Sequence, residues 1–441
     1  MSHVMNRSSS GSIAGRRRFT ALAALSIAAA VSLSACAGGT TAQTASGGSS
    51  AAAAPTVLTV YGWKGGDAEP ANIAEINAAF EKANPDIKLD YQFIPAGDTY
   101  TQRVQSELLA GKSADVIMTD GSKVQDWGSV GYLQDLSASP WLPGVRKEVT
   151  PFISQGGKAY AVPMEVIGID LFANLDLLEQ VGVSTAPTTW DEFLTDLAAL
   201  KAAGITPIAL PNKDGWTGSA AINAIAATLV YQQNPDWDAQ FLAGKASFTD
   251  WAPAVQQVLD LGTKGYVDLK SELGFDTWST GLDDFKSGKS GFFVQGAWNQ
   301  SAFTTAGVND VFIPWPAGGA GTQPSANLFV GTMLSINATS TVKDAAQKYV
   351  DFWADSTNSG PFLESESAVS PFSQGTTPSS PATADFVKAV DAGRYRILPS
   401  NTWFGGATGE KAMMEETQAL WLGQVDVNGW AKALDAKLGG S

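Results

Sequence analysis

The stretch VLTVYGWKGGDAEPANIAEINAAFEKANPDIKLDYQF, residues 57–93, contains one complete strand–helix–strand unit. VLTVY (57–61) is short, apolar and β-branched, and reads as a strand. In PANIAEINAAFEKANP (70–85), Pro70 stands near a helix start, and Ile73, Ile76 and Phe80 recur at helical spacing on one face. IKLDYQF (87–93) then alternates Ile87, Leu89, Tyr91 and Phe93, the pattern of a second strand. Strand, helix, strand at this spacing implies a right-handed crossover between parallel strands, covered by the helix.

The same rhythm extends in both directions. Asp98 is placed to cap a helix carrying Tyr100, Val104 and Leu108, with Gly111 as its stop, before ADVIMTD (114–120) returns as strand. Thr189-Trp190-Asp191-Glu192 forms a capping box that opens a helix with Phe193, Leu197 and Leu200 inward; Gly204 ends it ahead of the strand ITPIAL (205–210). The expected class is α/β, with largely parallel sheets covered by helices. No tandem repeat is present.

The first 55 residues have a different character. Arg7 and the triplet Arg16-Arg17-Arg18 form a basic leader, followed by an apolar run from Phe19 to Val31 that is too short to span a bilayer. Leu33-Ser34-Ala35-Cys36 resembles the bacterial lipobox, in which a signal peptide (here residues 1–35) is cut before a cysteine that then receives lipid. Cys36 is the chain's single cysteine. A buried structural thiol would need a packed element around it, and the Gly/Ser/Thr/Ala tract that follows favours a flexible tether, residues 36–55. Several acyl chains give stable anchoring where one does not. Arg16-Arg17-Arg18-Phe19 also fits the core of a twin-arginine export signal, a match that basic leaders produce by chance.

Composition narrows the chemistry of what is anchored. The one histidine is His3, inside the leader, so the exported portion lacks Ser-His and Cys-His nucleophilic sites and histidine-based metal sites. The leader holds four of the 28 Lys+Arg and none of the 43 Asp+Glu, leaving 24 cationic against 43 anionic side chains, a formal charge of −19. Such a surface repels phosphate backbones, and no nucleic-acid partner is expected. All 14 tryptophans lie beyond the leader. Flat aromatic faces suit the apolar faces of sugar rings, although many tryptophans serve as core.

Several motif-like strings lose their force on inspection. Gly111-Lys112-Ser113 and Gly288-Lys289-Ser290 look like the end of a phosphate-binding loop, but Ser106 and Asp283 occupy the position where the first glycine must stand. Both read better as glycine helix stops followed by a strand. QVDVNG (424–429) spaces Asp426 and Asn428 like calcium ligands, yet begins with Gln424 and is better taken as a helix start. The pairs Asp283-Asp284 and Glu415-Glu416 read as solvated helix faces.

A family resemblance emerges from the order of segments. FEKANPDIKLDY (80–91), LLAGKSADVIMTDGSKVQDW (108–127), KAYAVPMEVIGIDLFANLDLLEQVGVSTAPTTWDEF (158–193), FKSGKSGFFVQGAWNQ (285–300), VFIPWPAGG (311–319) and FVGTMLSINATSTVKDAAQKYVDFW (329–353) together resemble the extracellular solute-binding proteins of carbohydrate ABC importers. The likeness covers nearly the whole chain after the tether. It implies a two-lobed periplasmic-binding-protein fold with a hinge and a central cleft. The first lobe is expected over 56–165 with 331–375, and the second over 166–330 with 376–438. It also implies a monomeric receptor that closes on a sugar and presents it to a permease, with no cofactor or metal. Trp298, in Gly296-Ala297-Trp298, matches the family's recurrent Gly-x-Trp, whose tryptophan stacks on sugar.

Other candidates follow from position. Ligands of open α/β sheets sit at strand ends, which points to Trp63, Lys64 and Asp67 after the first strand and to Asp120 after ADVIMTD. Glu165 lies at the expected lobe crossing. Trp216 in DGWTG and Trp403 in SNTWFGG stand among glycines and polar residues, as at a cleft mouth. For each tryptophan the alternative is core packing, and for each acid a cap or surface charge. Two other readings use the same features. A secreted glycoside hydrolase needs only a carboxylate pair, and the same fold could carry a polyol, a peptide or another solute.

Overall fold

The computed structural model describes residues 54–66, 71–399, 403 and 407–439. Cys36, Asp67 and Pro70 lie outside the described residues. In chain order the described strands are β1 (Thr56–Gly62), β2 (Ile87–Phe93), β3 (Val116–Thr119), β4 (Ser154–Gln155), β5 (Lys158–Ala159), β6 (Val162–Pro163), β7 (Val166–Asn174), β8 (Thr206–Ala209), β9 (Ser290–Gly296), β10 (Asp310–Ile313), β11 (Ala326–Val330), β12 (Met333–Ile336) and β13 (Tyr395–Ile397).

The opening stretch folds as its periodicity requires. β1 and β2 pair in parallel, with Leu58 opposite Leu89 and Val60 opposite Tyr91. Between them runs the helix Ile73–Ala83, which buries Ile73, Ile76 and Phe80. Phe80 meets Tyr349 edge-on at 5.0 Å, fastening this helix to the later helix Lys343–Ala354. The first sheet has the order β2-β1-β3-β12-β6, and the second the order β13-β11-β7-β9-β8, with β10 sharing an edge of β7.

The expectation of largely parallel sheets needs correction. β7 is antiparallel to β9, β10 and β11, and β12 is antiparallel to β3 and β6. The reason is the route of the chain. It leaves the first sheet at β6, enters the second at β7 two residues later, and returns between β11 and β12. Strands that arrive from the other sheet run against their new neighbours. The two passages lie side by side, with Met164 N donating to Thr332 O at 2.9 Å. A third passage follows the helix Ser356–Ser365, where Val369 bridges Val166.

Local signals were realised with one exception. Thr189 and Glu192 close the expected capping box on the helix Trp190–Ala202, and Gly204 takes a left-handed φ of 77°. Gly111 and Gly288 adopt φ of 64° and 68° as helix stops, and Asp426 Oδ1 caps the helix Val427–Leu438 by accepting from Gly429 N at 2.7 Å. Asp98 does not cap. The chain enters the helix Asp98–Leu109 through Gly97 at φ 90°, a turn that glycine makes without strain, so Asp98 becomes the first helical residue. Its charge still favours the positive end of the helix dipole.

The helices and sheets pack around two buried clusters, the first of which covers the first sheet and also takes in Phe172, Phe293, Phe312 and Leu328 of the second. Leu58, Val60, Phe80, Tyr100, Val104 and Ile117 belong to the first core; Phe193, Leu197, Ile225, Trp251, Trp315 and Trp430 belong to the second. Burying side chains of this size removes enough apolar surface from water to stabilise by about 1.5–3 kcal/mol each.

Candidate ligand-binding cleft

The ends of β1 and β3, the chain passages and the N-terminal end of the helix Trp216–Leu229 enclose a cleft of about 950 Å³. Trp63, Lys64, Asp120, Glu165, Trp216, Trp298 and Trp403 all line it.

On the first-lobe side, Trp63 stands edge-on to the buried ring of Tyr100 at 4.9 Å. Tyr100 is fixed in turn by its hydroxyl, which donates to Met118 O at 2.8 Å. Asp120 is the N-cap of the helix Gly121–Ser129: its Oδ1 accepts from Lys123 N at 2.9 Å, and its Oδ2 takes the Lys123 ammonium. That ammonium lies 5.4 Å from the centre of the Trp63 ring. Asp120 is thus a cap and a cleft residue together, because it joins the end of β3 directly to the helix it caps.

The opposite wall is aromatic. Trp216, Trp278 and Trp298 form a cluster with ring centres 5.8–6.2 Å apart, and Trp278 is stacked on Trp298 at 23°. Trp216 begins its helix directly after Gly215, whose φ of 85° turns the ring inward. Gly296 explains the Gly-x-Trp motif physically. A Cβ there would run into the Trp298 ring, which folds back over its own backbone. Trp278 is 52% exposed and was not singled out in the sequence, although Asp276, Ser279, Thr280 and Gly281 around it give the polar, small context that marked Trp216.

Trp403 sits deeper than a rim residue. It is 6% exposed and packs against Phe248 at 5.3 Å and Trp251 at 5.8 Å, with one side in the cleft. Its indole N–H donates to Asp238 Oδ1 at 3.3 Å. Asp238 also receives the Tyr231 hydroxyl at 2.6 Å and lies 3.6 Å from Arg396. The Arg396 guanidinium, stacked 3.7 Å over the Tyr231 ring, donates to Oδ1 of Asn223 at 2.7 Å. Asn223, another cleft residue, is thereby fixed with its oxygen toward arginine. A polar Asn inside the apolar run AAINAIAA was the available signal for it.

At the floor, Glu165 lies in the first passage between sheets. Its Oε1 accepts from Thr332 N at 3.0 Å and is 3.9 Å from Lys64 Nζ. Lys64 bonds Glu366, which follows the helix ending at Ser365, so the side chains cross-link segments about 300 residues apart in sequence. All three are at most 5% exposed. Sequence reading could not find Glu366, since nothing local announces a partner so distant. Higher on the wall, burial pushes the Glu410 carboxyl up to about 7, with Asp120 adding to the rise and Lys123 opposing it.

Two α/β lobes, joined by chain passages beside an aromatic cleft, define the class of two-lobed periplasmic solute-binding folds. Solved structures share it across 87% of this chain. They include a chitin oligosaccharide binding protein (TM-score 0.71, 22% identity, 98% of that chain). They also include the GacH receptor of Streptomyces glaucescens (TM-score 0.67, 23% identity, 97% of that chain). A family 1 extracellular solute-binding protein from Bifidobacterium longum subsp. infantis is similar as well (TM-score 0.65, 23% identity, 99% of that chain). The chain belongs to the bacterial extracellular solute-binding protein family, whose model matches residues 65–358. Curated relatives include the multiple sugar-binding protein of Streptococcus mutans (27% identical over 149 residues). The melibiose/raffinose/stachyose-binding protein MelE of Bacillus subtilis is 28% identical over 152 residues. Each match spans about a third of this chain and 34% of the relative. The family and these neighbours are binding proteins rather than enzymes. Among the described residues no helix is long and apolar enough to cross a membrane.

Proposed function

We propose that the chain is a membrane-anchored receptor that captures a sugar or oligosaccharide in this cleft by hinge closure and delivers it to an ABC importer. The observation that carries the reading is that Trp63, Trp216, Trp278 and Trp298 line one cleft together with carboxylate and amide groups. A sugar presents C–H faces and hydroxyl edges, and needs aromatic planes for the first and hydrogen-bonding groups for the second. The names of the Streptococcus and Bacillus relatives point to the same ligand class.

In this reading Trp63, Trp216, Trp298 and Trp403 contact the rings, and Lys64, Asp67, Asp120 and Glu165 bond hydroxyls. Residues 56–165 with 331–375 move as one lobe against 166–330 with 376–438, and Cys36 carries the lipid. Closure removes water from the cleft, and contacts made only in the closed form shift the population toward it. The closed shape is what a permease recognises. The protein acts as a monomer and leaves its ligand chemically unchanged. The test is a thermal-shift panel of mono- and oligosaccharides, polyols and short peptides, with mass analysis of each mixture. One saccharide class that raises the melting temperature and is recovered intact supports the reading, since a ligand of the folded state stabilises it by about 2.7 kcal/mol at a hundred times its Kd. Stabilisation by peptides alone, or cleavage of a glycan, overturns it.

A further inference from the structure

One group in the cleft has less company than its burial demands. Glu165 is 2% exposed, and its Oε1 is taken by Thr332 N–H, while Oε2 has no hydrogen-bond partner. A buried carboxylate oxygen ordinarily finds a donor. Lys64 does not supply one fully, because its short bond goes to Glu366 and it approaches Glu165 only through Oε1, at 3.9 Å. Lys64 thus sits closer to Glu366 than to Glu165.

The rest of the cleft leans toward acid. Its described lining includes Asp98, Asp214 and Glu410 besides the Asp120–Lys123 pair, so both lysines of the lining are already committed to carboxylates. Space next to Glu165 is kept by Gly331, where a Cβ would fall 2.5 Å from Oε1. An aromatic face is at hand, since the Trp298 ring lies 5.8 Å from Lys64 Nζ.

We propose that the captured ligand carries a protonatable amine, as an amino sugar or an amino-substituted oligosaccharide does, and that its ammonium takes the open oxygen of Glu165 beside Trp298. This rests on the saccharide reading above and narrows it. A hydroxyl would supply a donor only. An ammonium supplies a donor and a positive charge together, and it gains from the ring face as well. Uronates and sugar phosphates bring the wrong sign into an acidic cleft.

The experiment is calorimetric titration of the full chain with glucosamine di- and trisaccharides bearing free amines, with their N-acetylated counterparts, and with glucose oligomers of the same linkage. The free amines are expected to bind about tenfold tighter than either neutral series. In Glu165→Gln, which keeps shape and loses charge, that ratio is expected to fall to about one. Neutral saccharides that bind as well as the amines overturn this inference and leave the saccharide reading in place, and this comparison needs no variant. A preference that survives Glu165→Gln overturns the assignment to Glu165. No binding of any saccharide overturns both readings.

Discussion

Trp298 is where a sequence motif and the geometry of the cleft meet in a single side chain. Its ring is stacked with Trp278 and held close over its own backbone by the missing Cβ of Gly296. Trp298→Ala is expected to weaken saccharide binding by about 2 kcal/mol, roughly thirtyfold, as truncation of an aromatic anchor does. Calorimetry beside a melting curve checks this: unchanged affinity, or a chain that no longer folds, would make Trp298 a core residue. Lys64→Met gives the opposite pattern. It removes the cation from between Glu165 and Glu366, and stability measured in denaturant is expected to drop by about 3–5 kcal/mol. A drop below about 1 kcal/mol would show that this cross-link does not hold the passages together. Residue types with a local signature were legible in the sequence. Gly-x-Trp and the Gly-flanked Trp216 led to the cleft, whereas Glu366 and Arg396 act only through partners far along the chain.

Single elements are legible in the sequence where their signal is local, and less so where their neighbours come from elsewhere in the chain. The periodicity of residues 73–80 and the Thr189 capping box fixed two helices, since both are short-range hydrogen-bond and packing patterns. Strand direction is not legible locally, because β7, β11 and β12 owe their orientation to the passages between lobes, which no strand of four to nine residues announces. β13 shows what such long-range placement achieves. It lies parallel to β11 and presents Arg396 to Asn223, Asp238 and the Tyr231 ring. Arg396→Met keeps the apolar stem but removes the fork of donors. Trp403 and Asn223 are then expected to lose their fixed positions. The measurable outcome is a loss of about 2–4 kcal/mol of stability together with altered discrimination among oligosaccharides. A variant that loses stability but ranks the same sugars in the same order would make the network purely structural.

At the scale of the whole molecule, buried carboxyls set the response to pH. Burial pushes Glu272 and Glu410 up to about 7 and Asp310 up to about 6, against about 4 in an unfolded chain. Between about pH 4 and 7 the folded state therefore holds more protons than the unfolded state, and stability falls as pH rises through that window. Lowering pH also relieves the mutual repulsion of a body with a formal charge of −19. The melting temperature is expected to be higher at pH 5 than at pH 8, and Glu272→Gln should flatten the difference. A molecule more stable at pH 8 would contradict these assignments. The central claim, however, is mechanical: two lobes close on a saccharide. The direct measurement is small-angle scattering during a titration with the saccharide that stabilises the protein best. A radius of gyration that shrinks and saturates at the same concentrations as calorimetric binding is the predicted result. Saturated binding with an unchanged radius would contradict closure.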